Sequence, residues 1–552
     1  MDIDVTTLRG RRAVQRFERT SVGDVFERLT WSYPDEVAVA GWAGAYGEEA
    51  FARVTYRQAD ETANRLAHAL AAAGLEPGDR VLMFCENSVE AFLAKVGIAK
   101  AGMVAVPLNP NLASDVVAHL IELTGPKFAI VDAELWPRAQ HAFDATGLAV
   151  GATITIGGGP VAGSPSFGGL IAEELTTEPD VEIHGDDIWE LLFTSGTTSL
   201  PKGAMISHSS THMAALNFAL SLTRGLQHEC DLRLAVFLPV IYHIGDQIFP
   251  FATFLSGGSL LIGRRPVPDA VAAALAAERS TALWAGSPQF VGGLAAELDA
   301  HPELDVAGLR VLVYGWGALS PAVLEQLEKH APGLVTLGIF GQTEAIACHR
   351  FWPTKWPDVH RATAPAVNYV GVPSPLLASD VVDESGEPVR GEPGEAVYRS
   401  PAVTAGYYRN PEATAEAFRG GWFHSGDSAT VDADGLRIMV DRYKDIVKTG
   451  GENVSSMRVE TVLMSHPDVL RAAVIGLPHD RWGEAVTAVV VPQPGATPVE
   501  ADVIAFCKER LAGFETPKRI VVADALPETV GGKILKYKLR AAHAALYSTP
   551  AP

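Results

Sequence analysis

The stretch Thr194-Ser-Gly-Thr-Thr-Ser-Leu-Pro-Lys-Gly203 decides the fold. Its glycines and small hydroxylated residues offer backbone N–H groups and hydroxyls to phosphate oxygens, and Lys202 adds a positive charge. The preceding residues 188–193, Ile-Trp-Glu-Leu-Leu-Phe, have the pattern of a buried strand. The loop therefore leaves the edge of a sheet, where α/β proteins usually bind nucleotides. The spacing of a Walker loop is absent, and a flexible Ser/Thr/Gly surface loop is the alternative.

Strand-like and helix-like patterns alternate on both sides of this loop. Thr55 is a favourable N-cap for an amphipathic helix that would end at Gly74, and residues 80–85 have the pattern of a buried strand. From about residue 370 the pattern changes to short strands separated by Gly/Pro turns. The last hundred or so residues again combine helices and strands.

These patterns predict an α/β fold with two domains. The large N-terminal domain, residues 1–441, is expected to contain two doubly wound βαβ-type subdomains and a small β-rich subdomain at about 370–441. A small, mobile α+β C-terminal domain is expected at 442–552, because the charged segment 441–445 separates two apolar patterns.

Composition excludes several classes of partner. A length of 552 residues is too great for one core, and the net charge of −21 argues against nucleic acid and anionic membranes as main partners. It also disfavours an acidic carrier protein, although a local cationic pocket can still bind a phosphorylated ligand. The four cysteines are far apart and form no CxxC pair, which favours free thiols in a reducing cytoplasm.

The apolar run 234–262 is the only candidate for a membrane span. It contains Pro239, Asp246 and Pro250, which are costly in a lipid-facing helix, so a strand, a loop and a buried helix are predicted instead. Asp246 is expected to cap that helix rather than contact a cationic substrate group. The N-terminus has a basic patch at 9–12 with no apolar run after it, so a signal peptide is not expected there.

Four further motifs join the first loop. They are Gly338-Ile-Phe-Gly-Gln-Thr-Glu344, His424-Ser-Gly-Asp427, residues 441–454, and Leu526-Pro-Glu-Thr-Val-Gly-Gly-Lys-Ile534. In order and spacing, from about residue 37 to about 539, the five resemble the acyl-adenylate-forming superfamily of acyl-CoA synthetases, peptide-synthetase adenylation domains and firefly-type luciferases. Within it, the chain is most similar to the branch of carnitine/crotonobetaine-CoA ligases.

The resemblance implies that ATP, Mg²⁺ and coenzyme A are used with a small carboxylic acid. A carboxylate must attack the α-phosphate of ATP, so Mg²⁺ and lysines are needed to offset the repulsion between two anions. Lys533 would bridge the acid and the α-phosphate. The residues implied to hold the β- and γ-phosphates are Thr194, Ser195, Gly196, Thr197, Thr198 and Lys202. The other implied contacts are Phe340 and Gly341 to adenine, Thr343 to the α-phosphate, Glu344 to Mg²⁺, and Asp427 and Arg442 to the ribose hydroxyls.

The resemblance also implies a second step, in which CoA displaces AMP. The C-terminal domain would rotate about Lys444, withdraw Lys533 and bring in residues 448–453 to form a thiol tunnel. The cofactor residues of that segment would be Lys448, Gly450 and Gly451, and His243 would stand between the acyl and thiol tunnels. Trp316, Gly317 and Gly338 would lie at the acyl pocket, where the bulk of Trp316 would shorten it.

Each of these residues has a simpler interpretation. Asp427 could cap a turn, Glu344 could begin a helix, and His243 could be a buried core histidine. Lys448 could simply be solvated. The sequence also departs from the family pattern: Ser199 replaces a usual glycine, Phe340 a usual tyrosine, and Glu528 a common arginine or lysine.

Three functions remain open at this level. The first is an AMP-forming acid–CoA ligase. The second is acid adenylation with transfer to another acceptor, namely a carrier-protein thiol, an amine or another small nucleophile. The third is a nucleotide-binding protein without activity. A homodimer is compatible with the sequence.

Overall fold

The computed structural model describes residues 19–112, 114–147, 151–157, 163–194, 201–241, 245–442, 445–449, 452–479, 481–528 and 534–547. The strands of this part of the chain are β1 Val37–Gly41, β2 Arg53–Thr55, β3 Arg80–Phe84, β4 Val104–Pro107, β5 Phe128–Val131, β6 Gly151–Ile154, β7 Ile188–Thr194, β8 Lys202–Ser207, β9 Arg233–Val236, β10 Ser259–Ile262, β11 Ala282–Gly286, β12 Val311–Tyr314, β13 Val335–Gln342, β14 Ala345–Phe351, β15 Asn368–Pro373, β16 Ala378–Val382, β17 Gly394–Arg399, β18 Phe423–Val431, β19 Arg437–Arg442, β20 Val447–Thr449, β21 Glu452–Val454, β22 Val469–His479, β23 Gly483–Pro492 and β24 Arg519–Val522. The α-helices are α1 Asp24–Ser32, α2 Tyr56–Ala72, α3 Val89–Lys100, α4 Ser114–Thr124, α5 Trp136–Thr146, α6 Phe167–Ile171, α7 His208–Leu222, α8 Gly245–Leu255, α9 Pro268–Ala277, α10 Pro288–Ala300, α11 Pro321–His330, α12 Pro357–Thr363, α13 Pro411–Ala417, α14 Ser456–Met464, α15 Glu500–Lys508 and α16 Lys536–Ala542.

A six-stranded sheet carries the first loop at its edge. Its order is β6-β5-β3-β4-β7-β8, and all pairs are parallel except β7 with β8. The helix predicted after Thr55 forms as α2, which packs against α1 and α3. Thr55 accepts a hydrogen bond from the Gln58 N–H, and the Gln58 side chain accepts one from the Thr55 N–H, so both ends of the capping box are satisfied.

A second sheet of thirteen strands spans most of the N-terminal part. Strands β1 and β9–β13 are parallel, and they carry helices between them, as in a doubly wound sheet. From β14 onwards every pairing is antiparallel, which matches the change of pattern expected near residue 370. Of the β-rich strands β15–β19, β15 is hydrogen-bonded to β14 and the others follow it, so they extend the large sheet rather than form a sheet of their own.

The strands after residue 442 form a third sheet. Its path is β21-β20-β23-β22, with β24 parallel to β23, and α14, α15 and α16 accompany it. Two separate apolar clusters hold this unit, one around Val474 and Val486 and one around Ile475 and Leu526. The α/β class and the smaller α+β C-terminal unit are therefore confirmed. The boundary at 441/442 and the mobility of this unit stay predictions.

The apolar run 234–262 folds as strand β9, helix α8 and strand β10, as predicted. Helix α8 begins at Gly245, so Asp246 belongs to its first turn and the N-cap interpretation is wrong. Within the described residues, no helix combines the length and the apolar character needed to cross a membrane.

One buried carboxylate in the N-terminal part, that of Glu90, is expected to make the stability of the protein depend on pH. Glu90 is fully buried, its Oε1 accepts from the Gly47 N–H (2.7 Å) and the Glu48 N–H (3.0 Å), and its Oε2 has no partner among the described residues. Burial raises the pKa of Glu90 to about 7 against the opposing effect of these N–H groups. Because the folded state binds this proton more tightly than the unfolded state, stability falls as pH rises from the unfolded pKa towards 7.

Glu90→Gln is expected to remove this loss, because it keeps an acceptor oxygen and carries no charge. The variant should gain on the order of 1–3 kcal/mol relative to the wild type between pH 5 and pH 8. Urea unfolding at both pH values measures the difference, and Glu49→Gln, which removes an exposed carboxylate, is the control. Equal pH profiles for the wild type and Glu90→Gln would refute the assignment.

Candidate nucleotide site

The phosphate-loop residues that the structure describes stand at the mouth of the β7–β8 hairpin. Thr194, the last residue of β7, lies directly opposite Lys202, the first residue of β8. The Thr194 hydroxyl donates to the Lys202 carbonyl at 3.4 Å. Antiparallel pairing therefore brings the hydroxyl and the ammonium residue of the motif to one point at the sheet edge. Ser195, Gly196, Thr197, Thr198 and the atypical Ser199 lie outside the described residues.

Tyr407 joins this hairpin to the predicted metal ligand. The Lys202 ammonium is 5.0 Å from the centroid of the Tyr407 ring, and the Tyr407 hydroxyl donates to Glu344 Oε1 at 2.9 Å. Burial and the neighbouring carboxylate both raise the pKa of Tyr407, which keeps its hydroxyl a donor. The Tyr407 side chain thus contacts the Lys202 ammonium with the face of its ring and the Glu344 carboxylate with its hydroxyl.

The backbone fixes Tyr407 in that place. The Met205 N–H donates to the Gly406 carbonyl (2.9 Å) and the Tyr408 N–H to the Gly203 carbonyl (2.8 Å), so this segment runs along β8. Gly406 has a φ of +127°, which favours glycine at this position. Sequence reasoning missed Tyr407. The only local signal is a glycine directly before two tyrosines. Nothing in that pattern indicates contact with Glu344 or Lys202, which lie far away in the sequence.

Glu344 lies in the tight connection between β13 and β14. It is 8% exposed, and its carbonyl accepts from the Thr404 N–H at 2.7 Å. A strand follows at Ala345, so the alternative that Glu344 begins a helix is wrong. The neighbouring Thr343 is half-buried in the same connection.

This environment suits Mg²⁺ that arrives with ATP. A partly shielded carboxylate beside a phosphate loop supplies the single hard oxygen ligand that Mg²⁺ commonly takes from a protein, while phosphates and water provide the rest. Among the residues that the structure describes, the one group of three potential metal ligands is Asp24, Glu27 and Glu178. Arg19 pairs with Asp24 and Glu178, so two of these three carboxylates already face a cationic side chain.

Phe340 lies on β13 opposite His349 on β14. The two ring centroids are 6.2 Å apart, and the His349 ring is 5.6 Å from that of Tyr398. Burial lowers the pKa of His349 to about 3, so the imidazole behind Phe340 is neutral. The half-buried Phe340 ring is therefore backed by apolar and uncharged groups, as a surface for a planar base requires. Gly341 is exposed beside it.

Asp427 and Arg442 meet across strands β18 and β19. They are partners in the antiparallel register, and Arg442 Nε lies 3.7 Å from Asp427 Oδ1. Asp427 is 5% exposed, and its N–H donates to the Ser425 hydroxyl at 3.0 Å. The sharp bend before it depends on Gly426, whose φ is +69°. The pair presents an acceptor and a donor side by side, which is the chemistry that recognises a diol.

The segment that follows the predicted hinge is tied to the last helix by ion pairs. Asp445 pairs with Arg540 on α16 at 2.6 Å, and Lys536 on the same helix pairs with Glu460 at 2.8 Å. Burial lowers the pKa of Lys536, but Glu460 and the other neighbouring carboxylates outweigh it and raise the pKa overall. These contacts anchor α16, which begins three residues after Lys533. Lys533 itself, Lys444, Gly450, Gly451 and His243 lie outside the described residues.

Lys448 lies on β20 opposite Asn453, with its side chain exposed. Its N–H donates to Glu484 Oε2 at 2.8 Å, which fixes the backbone of this short hairpin. The Lys448 side chain therefore extends into solvent from a strand whose backbone is held in place. Both the thiol-tunnel interpretation and the solvated-lysine interpretation allow this position.

Of the residues predicted at the acyl pocket, Trp316 and Gly317 follow the carboxyl end of β12, and Gly338 lies within β13 opposite Tyr314. Trp316 has a φ of +63°, unusual for a residue with a bulky side chain, and is 41% exposed. A Cβ at Gly338 would come within 3.0 Å of the Tyr314 ring, so this glycine makes room for that ring. Gly317 faces Pro288, at 3.5 Å from an ideal Cβ.

Comparison with known proteins gives a consistent result. The model of the family described as AMP-binding enzyme matches residues 26–408, and that of the AMP-binding enzyme C-terminal domain matches residues 458–533. The chain is 35% identical to a feruloyl-CoA synthase of an Amycolatopsis species over 493 residues, 88% of this chain and 93% of the relative. It is 33% identical to the fatty acid–[acyl-carrier-protein] ligase ScoC of Streptomyces coeruleorubidus, over 88% of this chain and 91% of the relative.

A solved structure extends the likeness to three dimensions. The anthranilate CoA ligase AuaEII, crystallised with anthranoyl-AMP, superposes with a TM-score of 0.83 at 27% sequence identity. The match covers 96% of this chain and 98% of that one. Both predicted domains are thus present in one known architecture.

Proposed function

The chain belongs to the AMP-binding enzyme family, whose members are adenylate-forming ligases, and we propose that it joins a carboxylic acid to coenzyme A. Two observations carry this proposal: the grouping of Thr194, Lys202 and Glu344 around Tyr407, and the pairing of Asp427 with Arg442. Together they provide cations and hydroxyls for phosphates, a carboxylate for a metal ion and a diol-binding pair. The assignment to the carnitine/crotonobetaine branch stays a prediction.

In the first step a carboxylate oxygen of the acid attacks the α-phosphorus of ATP, and the bond from that phosphorus to pyrophosphate breaks. Lys202 and the loop residues 194–198 hold the leaving β- and γ-phosphates. Thr343 and Lys533 contact the α-phosphate, and Lys533 also holds the attacking carboxylate. Glu344 would hold Mg²⁺, which would supply positive charge where negative charge develops on the phosphate oxygens.

In the second step the CoA sulfur attacks the acyl carbonyl, and AMP leaves with the oxygen that the acid contributed. The C-terminal unit turns about Lys444, so that Lys448, Gly450 and Gly451 replace Lys533 at the site. His243 would act as the gate between the acyl and thiol channels. A mixed anhydride is readily hydrolysed, so closing the site before the thiol arrives protects it from water.

A carrier-protein thiol is the second candidate acceptor. The ScoC ligase, at 33% identity, carries that acceptor in its name. Against it, the net charge of −21 disfavours an acidic carrier. The CoA ligases at similar or higher identity support the first candidate.

Pyrophosphate release from ATP, measured with a panel of acids in the presence and absence of CoA, tests the proposal. We expect an acid that gives sustained release only with CoA, together with one AMP and one thioester per turnover. Sustained release that does not depend on CoA would refute a CoA ligase and favour another acceptor.

Lys448→Ala separates the two steps. Because Lys448 would act only after rotation, the variant is expected to keep acid-dependent ATP–pyrophosphate exchange within about threefold and to lose roughly tenfold or more of thioester formation. Lys508→Ala, another lysine of the C-terminal unit, is the matched control. Equal losses in both half-reactions would contradict the assigned role.

A further inference from the structure

Three aromatic side chains form a box at the carboxyl ends of the parallel strands. The Trp284 ring on β11 stacks on Phe249 of α8 at a centroid distance of 4.7 Å and an interplanar angle of 29°. Trp316, two residues after β12, meets Trp284 edge-on at 5.8 Å. Trp284 is buried, whereas Trp316 leaves 41% of its surface exposed. The box therefore has two packed walls and one wall that faces open space.

Two glycines make room for the two indole rings. An ideal Cβ at Gly286 would lie 2.7 Å from the Trp316 ring, and one at Gly315 would lie 3.5 Å from the Trp284 ring. Gly286 has a φ of +71°, and the Gly315 N–H donates to the Gly286 carbonyl at 2.8 Å. The absence of side chains at Gly286 and Gly315 thus leaves room for the two indole rings beside these strands.

The box adjoins the nucleotide site. An ideal Cβ at Gly315 would lie 3.3 Å from the Ile339 carbonyl oxygen, and Ile339 directly precedes Phe340 on β13. Carboxyl ends of neighbouring parallel strands are where such folds bind ligands. An acid held for attack on the α-phosphate would project its acyl group along these ends.

The Trp284 indole has a polar group without a partner. Its Nε1 is buried and makes no hydrogen bond among the described residues. A buried donor left unpaired is costly, and native structures seldom keep one without a reason. Trp352 has an equally unpaired Nε1, but its ring packs with Trp356 and Arg224 rather than in the box.

We propose that the acid is a compact aromatic one with an oxygen acceptor on its ring, and that Trp284 selects it through its Nε1–H. This inference rests on the proposed function. A planar ring suits the faces and edges of the box, since aromatic pairs prefer stacked or edge-on contact. Trp316 would lie over the aromatic ring of the acid and limit the length of the acyl group. A long straight alkyl chain therefore fits poorly.

Matched acids test the proposal on the intact enzyme. CoA-dependent pyrophosphate release is measured with para-methoxybenzoate, para-ethylbenzoate and octanoate, and with the corresponding cinnamates. The methoxy and ethyl groups are similar in size, and only the former accepts a hydrogen bond. We expect kcat/KM to favour the methoxy acid by about three- to tenfold in at least one series, and aromatic acids to exceed octanoate.

Trp284→Phe keeps an aromatic wall and removes the donor. It should abolish the preference for the methoxy acid over the ethyl acid, while Trp352→Phe, which lies outside the box, keeps both that preference and the overall turnover. An unchanged preference in Trp284→Phe, no preference in the wild type, or octanoate as the better substrate overturns the inference. In the last case CoA-dependent release still supports the proposed function, whereas release without CoA dependence refutes that function instead.

Discussion

Replacing Glu344 by glutamine is expected to lower kcat/KM for acid-dependent pyrophosphate release by about 10²–10³-fold. The substitution keeps an oxygen that accepts from the Tyr407 hydroxyl, so the local hydrogen bond survives. It removes the negative charge that would hold Mg²⁺ against the phosphates. The loss should appear mainly in kcat at saturating Mg²⁺, because charge stabilisation in the transition state is lost. Initial rates over a range of Mg²⁺ concentrations measure it.

Tyr407→Phe is the matched control for this prediction. It retains the ring beneath the Lys202 ammonium and removes only the hydroxyl that orients Glu344. A hydrogen bond to a carboxylate contributes about 1.5–3 kcal/mol, which corresponds to about 10- to 150-fold. Because Glu344 keeps its charge in this variant, a loss near the lower end of that range, roughly tenfold, is expected. If Glu344→Gln kept more than a tenth of wild-type activity, Glu344 would not be the metal ligand.

Asp427→Ala is expected to raise KM for ATP by about 10- to 100-fold, because hydrogen bonds from the ribose to a buried carboxylate are lost. The sharper readout is the choice between ATP and its deoxy forms. The wild type should discriminate against 2′- or 3′-deoxy-ATP, whereas Asp427→Ala should treat them nearly alike. Asp432→Ala, a carboxylate in the turn after β18, is the control.

Equal discrimination by the wild type and by Asp427→Ala would remove Asp427 from the ribose site. A structural explanation, in which Asp427 only holds Arg442 across the strands, predicts a lower unfolding temperature with unchanged nucleotide preference. Thermal unfolding of the same variants therefore separates the two roles.

Local chemistry made much of this fold predictable. Thr55 satisfies the first N–H groups of α2, and the alternation of apolar strands with helices fixed the doubly wound class. The apolar run 234–262 resolved into strand, helix and strand, because its prolines and polar residues exclude a membrane helix. Such signals lie within a few residues of the element that they predict.

Other features depend on distant parts of the chain and leave no local trace. Tyr407 matters only because β8 brings residue 202 beside it and the β13–β14 connection brings residue 344. The continuity of β15 with β14 depends on pairing across the sheet, and the pattern of short strands is the same with or without it. The box around Trp284 is similar, since its walls come from α8, β11 and the end of β12. The helix start at Gly245 was missed because Asp246 is a good cap in isolation.

In the proposed mechanism the acid attacks the α-phosphate of ATP, and AMP leaves with one oxygen of the acid's carboxylate. An acid labelled with oxygen-18 in both carboxylate positions tests this directly, with mass spectrometry of the nucleotide and phosphate products after thioester formation. If the carboxylate attacks the α-phosphate, each AMP will contain one labelled oxygen and pyrophosphate will contain none. Unlabelled AMP, or label in inorganic phosphate together with ADP, would contradict it.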